Sequence, residues 1–259
     1  ANGRTGMGAV MGSKNLKAVA VRGTKKMDIH DAEKFQELSR SLTALIGQHG
    51  PNKVLHALGT SNLVKIINSQ GILPTRNFRT GFFEGAEKIS GERMAETILK
   101  SEEGCYACAV RCKRAVEIPS GPYATARKYG GPEYETLSSL GSLLDIDDLA
   151  AIAKGNELCN RYTLDTISAG VAIGFAMECY EKGIINKADT EGVEFTFGNP
   201  EAMLKGLEWI AFRRPGLGDL LADGVKIAAA KLGHGSEKFA LHIKGQELPM
   251  HDPRGKTGQ

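Results

Sequence analysis

A chain of 259 residues, 41% hydrophobic and 24% charged, has the make-up of a folded globular protein rather than a disordered one, and can hold one large domain or two ordinary ones. Its 33 basic and 30 acidic side chains leave a formal charge of +3 and are interleaved rather than massed, which gives no footing for a nucleic-acid or membrane-surface role. These residues contain no stretch that reads as a signal peptide and no apolar run of about eighteen residues, and five cysteines, an odd number, fit a reducing cytoplasm better than a disulfide framework.

The chain opens on a glycine-dense stretch, Gly3-Arg-Thr-Gly6-Met-Gly8-Ala-Val-Met-Gly12-Ser-Lys-Asn15, leading into Leu16-Lys-Ala-Val-Ala-Val-Arg22, which reads as a short strand closed by Gly23. Such a loop lets backbone N–H groups approach a phosphate, with Arg4 and Lys14 adding charge. Neither standard phosphate fingerprint fits: Ser13 separates Gly12 from the lysine a P-loop needs next, and Met11 stands where a dinucleotide motif needs a third glycine. A tight turn is the competing reading. From Asp31 the periodicity becomes helical. Asp31 caps a helix to about Gly47 with Phe35, Leu38, Leu42 and Leu45 on one face, and after Gly50-Pro51 a second helix is expected to about Gln70. Residues 71–78 read as irregular, with Arg76 and Arg79 as solvated or paired cations. Ser90 caps a further helix, bearing Met94, Ile98 and Leu99, that Gly104 should stop.

Directly after it comes Cys105-Tyr-Ala-Cys108-Ala-Val-Arg-Cys112. Thiolates are soft, strongly donating ligands, and three of them two and three residues apart can wrap one face of an iron–sulfur cluster. Zinc is the rival, but zinc motifs bring a second Cys or His pair soon afterwards, whereas the next cysteine is Cys159 and no histidine intervenes. A strand-like piece, Arg114–Ile118, and a Gly/Pro-rich loop lead to Gly130-Gly131-Pro132-Glu133-Tyr134-Glu135-Thr136. Glu133 and Glu135 are either first-turn carboxylates favoured by a helix dipole or an acid or base held near a reacting centre. A helical region opens at Asp147-Asp148, and Asp165 starts an apolar, small-residue helix to about Lys182, where it is either a cap or a ligand contact. Cys159 and Cys179 lack ligand spacing and read as core. Asn199-Pro200 begins another helix, Gly216–Asp219 caps one running to about Leu232, and residues 239–245 return to a short strand before His251 and Asp252, which are either catalytic or, the commoner case, part of a Pro-bracketed turn.

In this order the motifs resemble the tungsten-containing aldehyde:ferredoxin oxidoreductases: the Gly3–Val21 stretch, Cys-x2-Cys-x3-Cys, Gly-Pro-Glu-Tyr-Glu-Thr, Leu-Asp-Thr-Ile-Ser, and Glu-Leu-Pro-x-x-Asp-Pro-Arg-Gly, from residue 1 to residue 255. Family members are considerably longer, and a chain that begins at Ala1 and stops at Gln259 in a loop-like run is expected to be a central fragment of such a protein. The resemblance implies a mainly α fold. Residues 1–26 would be the end of a β-rich cofactor-base domain, contributing a short β segment; residues 27–240 would be a multi-helical domain carrying the cluster ligands; residues 241–259 would start a second helical domain.

The resemblance also assigns roles. Cys105, Cys108 and Cys112 match three of four [4Fe–4S] ligands, the fourth lying beyond Gln259. Arg4 and Thr5 match a loop contacting a pterin phosphate. Asp165 matches an aspartate that bonds pterin amino groups, with Ser168 and Gly170 beside it and small side chains that let the ring approach. Glu133 or Glu135, with Glu133 favoured, matches an active-site glutamate whose partner histidine should follow residue 255. The implied cofactors are the cluster and a tungsten or molybdenum bis-pterin, with magnesium as its accompanying ion. The implied reaction is oxidation of an aldehyde to a carboxylic acid with electrons passing to ferredoxin, the fragment alone being inactive. A homo-oligomer is compatible with the resemblance. Two other readings stand: a family member that reduces an aromatic thioester in a larger complex, and a non-catalytic iron–sulfur electron-transfer module.

Overall fold

Residues 3–255 are described by a computed structural model of the chain. After α1 (Met7–Ser13) and an irregular run come α2 (Ala32–Gln48), α3 (Gly50–Leu58), α4 (Leu63–Ser69) and α5 (Gly91–Thr97). A hairpin of β1 (Leu99–Glu103) and β2 (Lys113–Val116) follows, then α6 (Tyr134–Leu140), α7 (Leu149–Tyr162), α8 (Thr166–Glu181), α9 (Pro200–Ala211), α10 (Leu217–Leu221) and α11 (Val225–Leu232), and a small hairpin of β3 (His242–Ile243) and β4 (Gln246–Glu247). The fold is mainly α, as the sequence implies, and no helix among the described residues is long and apolar enough to cross a membrane.

The core is built around α8. Every residue from Ala169 to Cys179 is buried, so this helix is apolar on all sides rather than along one stripe, as a central helix must be. It packs against α6, α9 and α11. Gly170 makes the closest of these crossings: a Cβ there would fall 2.4 Å from the Ser139 carbonyl oxygen of α6. Short polar side chains start the helices as expected. Asp31 accepts from the Lys34 N–H, Ser90 from Arg93, Asp148 from Ala150 and Ala151, Asp165 from Ile167, and Asn199 from Glu201. The loop before α6 is pinned to α7 by buried Glu157, which accepts from the Ala126 N–H (2.8 Å) and from Lys154 (3.0 Å).

An ion cluster closes the far end of α8. Arg79 grips Glu181 with two bonds (2.7 and 2.9 Å), Arg76 reaches Glu181 (3.2 Å) and Asp145 (3.3 Å), and both guanidinium groups lie over the Phe197 ring. Bonding to Arg79 holds Glu181 at about 2, far below an ordinary glutamate. The two arginines are therefore paired, and Arg76-Asn77-Phe78 carries three consecutive positive φ angles (50°, 52°, 61°) to reach these partners.

Five local expectations change. The helix expected from Pro51 to about Gln70 is two, α3 and α4, because Gly59 (φ 67°) ends the first and a 3-10 turn, Gly59–Asn62, precedes the second. Leu16–Arg22 is not a strand: it is exposed along its length and pairs with nothing among the described residues, and a lone strand has no ladder to satisfy its backbone. The glycine-dense stretch before it instead contains α1. Leu99 belongs to β1, not to the helix begun at Ser90; α5 stops at Thr97 and the chain turns to pair antiparallel with β2. The single helix expected from residue 220 to 232 is two, because Gly224 (φ 85°, ψ 164°) breaks it where Glu247 accepts the Val225 N–H (2.9 Å).

Gly170→Ala should cost about 1–3 kcal/mol through overpacking at the α6–α8 crossing, read as a lower denaturant midpoint with an unchanged slope. An unaltered midpoint would mean that the two helices do not meet there.

Candidate active site

The first turn of α6 gathers one part of the site. After Gly130-Gly131-Pro132 the chain cannot continue the preceding turn, and Glu133 takes the capping position without capping the helix itself. Thr60 does so from the opposite segment: its hydroxyl accepts the Tyr134 N–H (2.9 Å) and donates to the Glu133 carboxylate. The Tyr134 hydroxyl donates to the Met250 carbonyl, and burial pushes that phenol well above its usual range, so it stays a donor. Glu135, two residues along, accepts the Met250 N–H (2.8 Å) and faces the His251 Nε2 at 3.5 Å. His251 also packs on the Tyr134 ring, centroids 5.0 Å apart. Asp252 is held by Arg254 (2.9 and 2.6 Å); burial alone would raise its pKa, yet these bonds keep it below the ordinary carboxylate range. Arg254 in turn donates to the Phe78 carbonyl (2.6 Å), which fastens the 250–255 segment in place.

Of the two candidate glutamates, Glu133 is bonded to Thr60, whereas Glu135 meets Met250 and His251. Burial raises the Glu135 pKa, while the Met250 N–H, His251 and Arg4 pull it down and Asp165 pushes it up. It therefore lies in the field of the second part of the site. There Arg4 Nε bonds Asp165 at 2.7 Å, and its Nη2 reaches the Ser168 hydroxyl (3.3 Å) and the Glu247 carbonyl (2.8 Å). Asp165 also accepts from Ser168 (2.9 Å) while its other oxygen caps α8 through the Ile167 N–H (3.1 Å).

These side chains border a cavity of about 600 Å³ between the glycine-dense stretch and α8, with Gly6, Gly8, Lys17, Ala169 and Ala172 on its walls. Glycine backbone, two cations and small side chains suit a flat anionic group. Of the expected cofactor contacts, Arg4, Asp165 and Ser168 come together; Thr5 is exposed and off the cavity wall, and Gly170 faces Ser139. The aspartate and arginine expected to touch a ligand separately are bonded to each other.

The three clustered cysteines lie in the turn of the β1–β2 hairpin, not at a helix end. Cys105 and Cys108 are exposed and Cys112 is half-buried. The turn winds through positive φ at Ala107 (53°) and Arg111 (54°), and backbone N–H groups of Arg111 and Val110 lower the Cys108 thiol pKa. Amides aimed at sulfur are what a bound cluster requires. As arranged, no three Cys, His, Asp or Glu side chains among the described residues form a group that could hold a metal ion. Cys159 and Cys179 are core thiols, each pushed to about 12 by burial.

Arg114, at the base of this hairpin, is 3% exposed. It donates to the carbonyls of Ala57 (2.7 Å), His56 (2.7 Å) and Arg111 (3.0 Å), and its buried Nε has no partner. Gly59, at φ 67°, makes the approach possible, since a Cβ there would sit 2.7 Å from the Cys112 carbonyl oxygen and 3.0 Å from Arg114 Nε. Local sequence reading passes over Thr60 and Arg114, whose partners Tyr134, His56 and Ala57 lie far away in the chain.

Residues 37–259 match the family model described as aldehyde ferredoxin oxidoreductase, domains 2 and 3. The tungsten-containing aldehyde ferredoxin oxidoreductase of Pyrococcus abyssi is 44% identical over 262 residues, covering 100% of this chain and 42% of that protein. Its counterpart in Thermococcus kodakarensis is 43% identical over 260 residues, with 100% and 42% covered. The WOR-like subunit of the aliphatic sulfonate oxidoreductase of Pyrococcus furiosus is 31% identical over 268 residues, 99% of this chain and 41% of that one. Among solved structures, the active site complex BamBC of benzoyl coenzyme A reductase with 1,5 dienoyl-CoA superposes with a TM-score of 0.73 at 26% identity, over 96% of this chain and 39% of that chain. The chain spans 42% of the length of the aldehyde ferredoxin oxidoreductases it matches.

Glu135→Gln should raise the unfolding midpoint at neutral pH. Burial favours the protonated carboxyl in the folded state, so the wild type loses stability as pH rises through the folded pKa while the amide does not. The gap should close as pH falls below the ordinary glutamate value. A lower midpoint for the variant at neutral pH would show that His251 and Arg4 outweigh burial.

Proposed function

Because the chain belongs to the aldehyde ferredoxin oxidoreductase family, we propose that it is the central part of an enzyme that oxidises an aldehyde to a carboxylic acid and passes the electrons to ferredoxin. The observation that carries this reading is identity of 43–44% along the whole chain to enzymes of that name. Residues 1–26 then belong to the cofactor-base domain, 27–240 to the helical domain, and 241–259 to the start of a second helical domain, all within a cytoplasmic protein.

When bound, a tungsten or molybdenum bis-pterin supplies the two-electron oxidation of aldehyde and water to acid and two protons, and a [4Fe–4S] cluster relays the electrons one at a time. Arg4 offers its guanidinium, and the neighbouring glycine backbone its N–H groups, to the pterin phosphate. Asp165 and Ser168 supply acceptors at the cavity wall for the ring amino groups, once Arg4 turns from Asp165 to the phosphate. Glu135 takes up the proton released when water adds to the carbonyl: its carboxylate lies in the same field as Arg4 and Asp165, and burial raises its pKa, which makes it the stronger base. Glu133, bonded to Thr60, shapes the helix end. Cys105, Cys108 and Cys112 supply three of the cluster thiolates.

The likeness to benzoyl coenzyme A reductase favours one second reading, reduction of an aromatic thioester, although its 26% identity is lower than that to the aldehyde enzymes. The test uses the complete protein. It should contain tungsten or molybdenum, pterin, iron and sulfide, and should convert aldehydes to acids with ferredoxin as acceptor; Glu135→Gln should lower kcat at least tenfold with metal content intact. A fully loaded protein that turns over aromatic thioesters and no aldehyde would replace the first reading with the second. Iron and sulfide without tungsten, molybdenum or pterin would leave an electron-transfer module.

A further inference from the structure

We propose that Arg114 is the fixed positive charge that sets the reduction potential of the cluster held by Cys105, Cys108 and Cys112, an inference that rests on the cluster reading above. A buried guanidinium ordinarily sits against a carboxylate, because an unpaired charge away from water is costly. Arg114 is buried, and its hydrogen bonds go to three neutral carbonyls. Its opposite charges, Glu102, Glu133 and Cys112, act on it at a distance rather than through a bond. One of its nitrogens, Nε, has no acceptor at all. The surroundings therefore leave much of a positive charge uncompensated, two residues from a cluster thiolate and at the foot of the loop that carries the other two.

An iron–sulfur cluster with thiolate ligands is negatively charged and gains a further negative charge on reduction. A cation fixed in a low-dielectric setting beside it stabilises the reduced form and raises the potential. The cluster in turn gives the guanidinium the anion it lacks. A second role is visible in the same bonds: His56 and Ala57 lie in the last turn of α3, so Arg114 also caps that turn and ties it to the hairpin. That role needs the forked shape of arginine, whereas the electrostatic role needs only the charge, and this difference separates them.

The test is a potentiometric titration of the cluster, followed by electron paramagnetic resonance, in the complete holoenzyme with iron and acid-labile sulfide counted first. Arg114→Gln, with the cluster loaded, should move the midpoint to a more negative potential. Arg114→Lys should keep the wild-type midpoint while lowering the melting temperature, since it retains the charge and loses the fork. A loaded Gln variant with an unmoved midpoint overturns the proposal, as does a Lys variant displaced as far as Gln. If the Gln variant loads no cluster, the Lys variant decides: loaded at the wild-type midpoint supports the proposal, and displaced or unloaded overturns it. A wild-type protein without iron and sulfide would instead remove the reading of the three thiols on which this rests.

Discussion

The contact on which the site depends is the one between Gly170 and the Ser139 carbonyl, where α8 lies directly on α6. It brings together two helix starts that are distant in sequence. Glu133 and Glu135 stand at one of them and Asp165 at the other, and Thr136 and Thr166 bond across the gap at 2.9 Å. A larger side chain at 170 would push the helices apart and with them the carboxylates. The catalytic chemistry proposed for Glu135 is thus a consequence of packing in the core, one layer below.

Charge is distributed over this frame in an instructive way. The far end of α8 has its acids and arginines matched in tight pairs, and Glu181 sits at about 2 as a result. At the near end the matching is incomplete. Glu135 is raised by burial and Arg114 has a buried nitrogen without an acceptor, while Arg4 and Asp165, on the wall of the cavity, are bonded to each other. Incompletely matched charge costs stability, and its concentration at one end of a well-paired protein is what a binding and reacting centre looks like.

Much of this was legible in the residues themselves. The capping residues Asp31, Ser90, Asp148, Asp165 and Asn199 each start a helix, because an oxygen one or two bonds from Cβ can reach the free N–H groups of the first turn whatever surrounds it. The apolar, small-residue run after Asp165 was recognisable as a helix meant for close packing. What escaped was decided by distant partners. Leu99 is a strand residue only because β2 is there to pair with it, and the helix beyond residue 220 breaks at Gly224 because Glu247 takes the next N–H. Met250 and His251, whose contacts distinguish Glu135 from Glu133, lie more than a hundred residues away, where no local pattern shows them.

The bond from Arg4 to the Glu247 carbonyl joins residues 243 positions apart. During synthesis Arg4 is therefore not held in place on the cavity wall until nearly the whole of this stretch has left the ribosome, and Met250, which bonds Glu135, emerges later still. Any large group that lodges there must arrive after translation of the region, into a nearly complete fold. Maturation, rather than elongation, is then the stage at which shortage of the group would be felt.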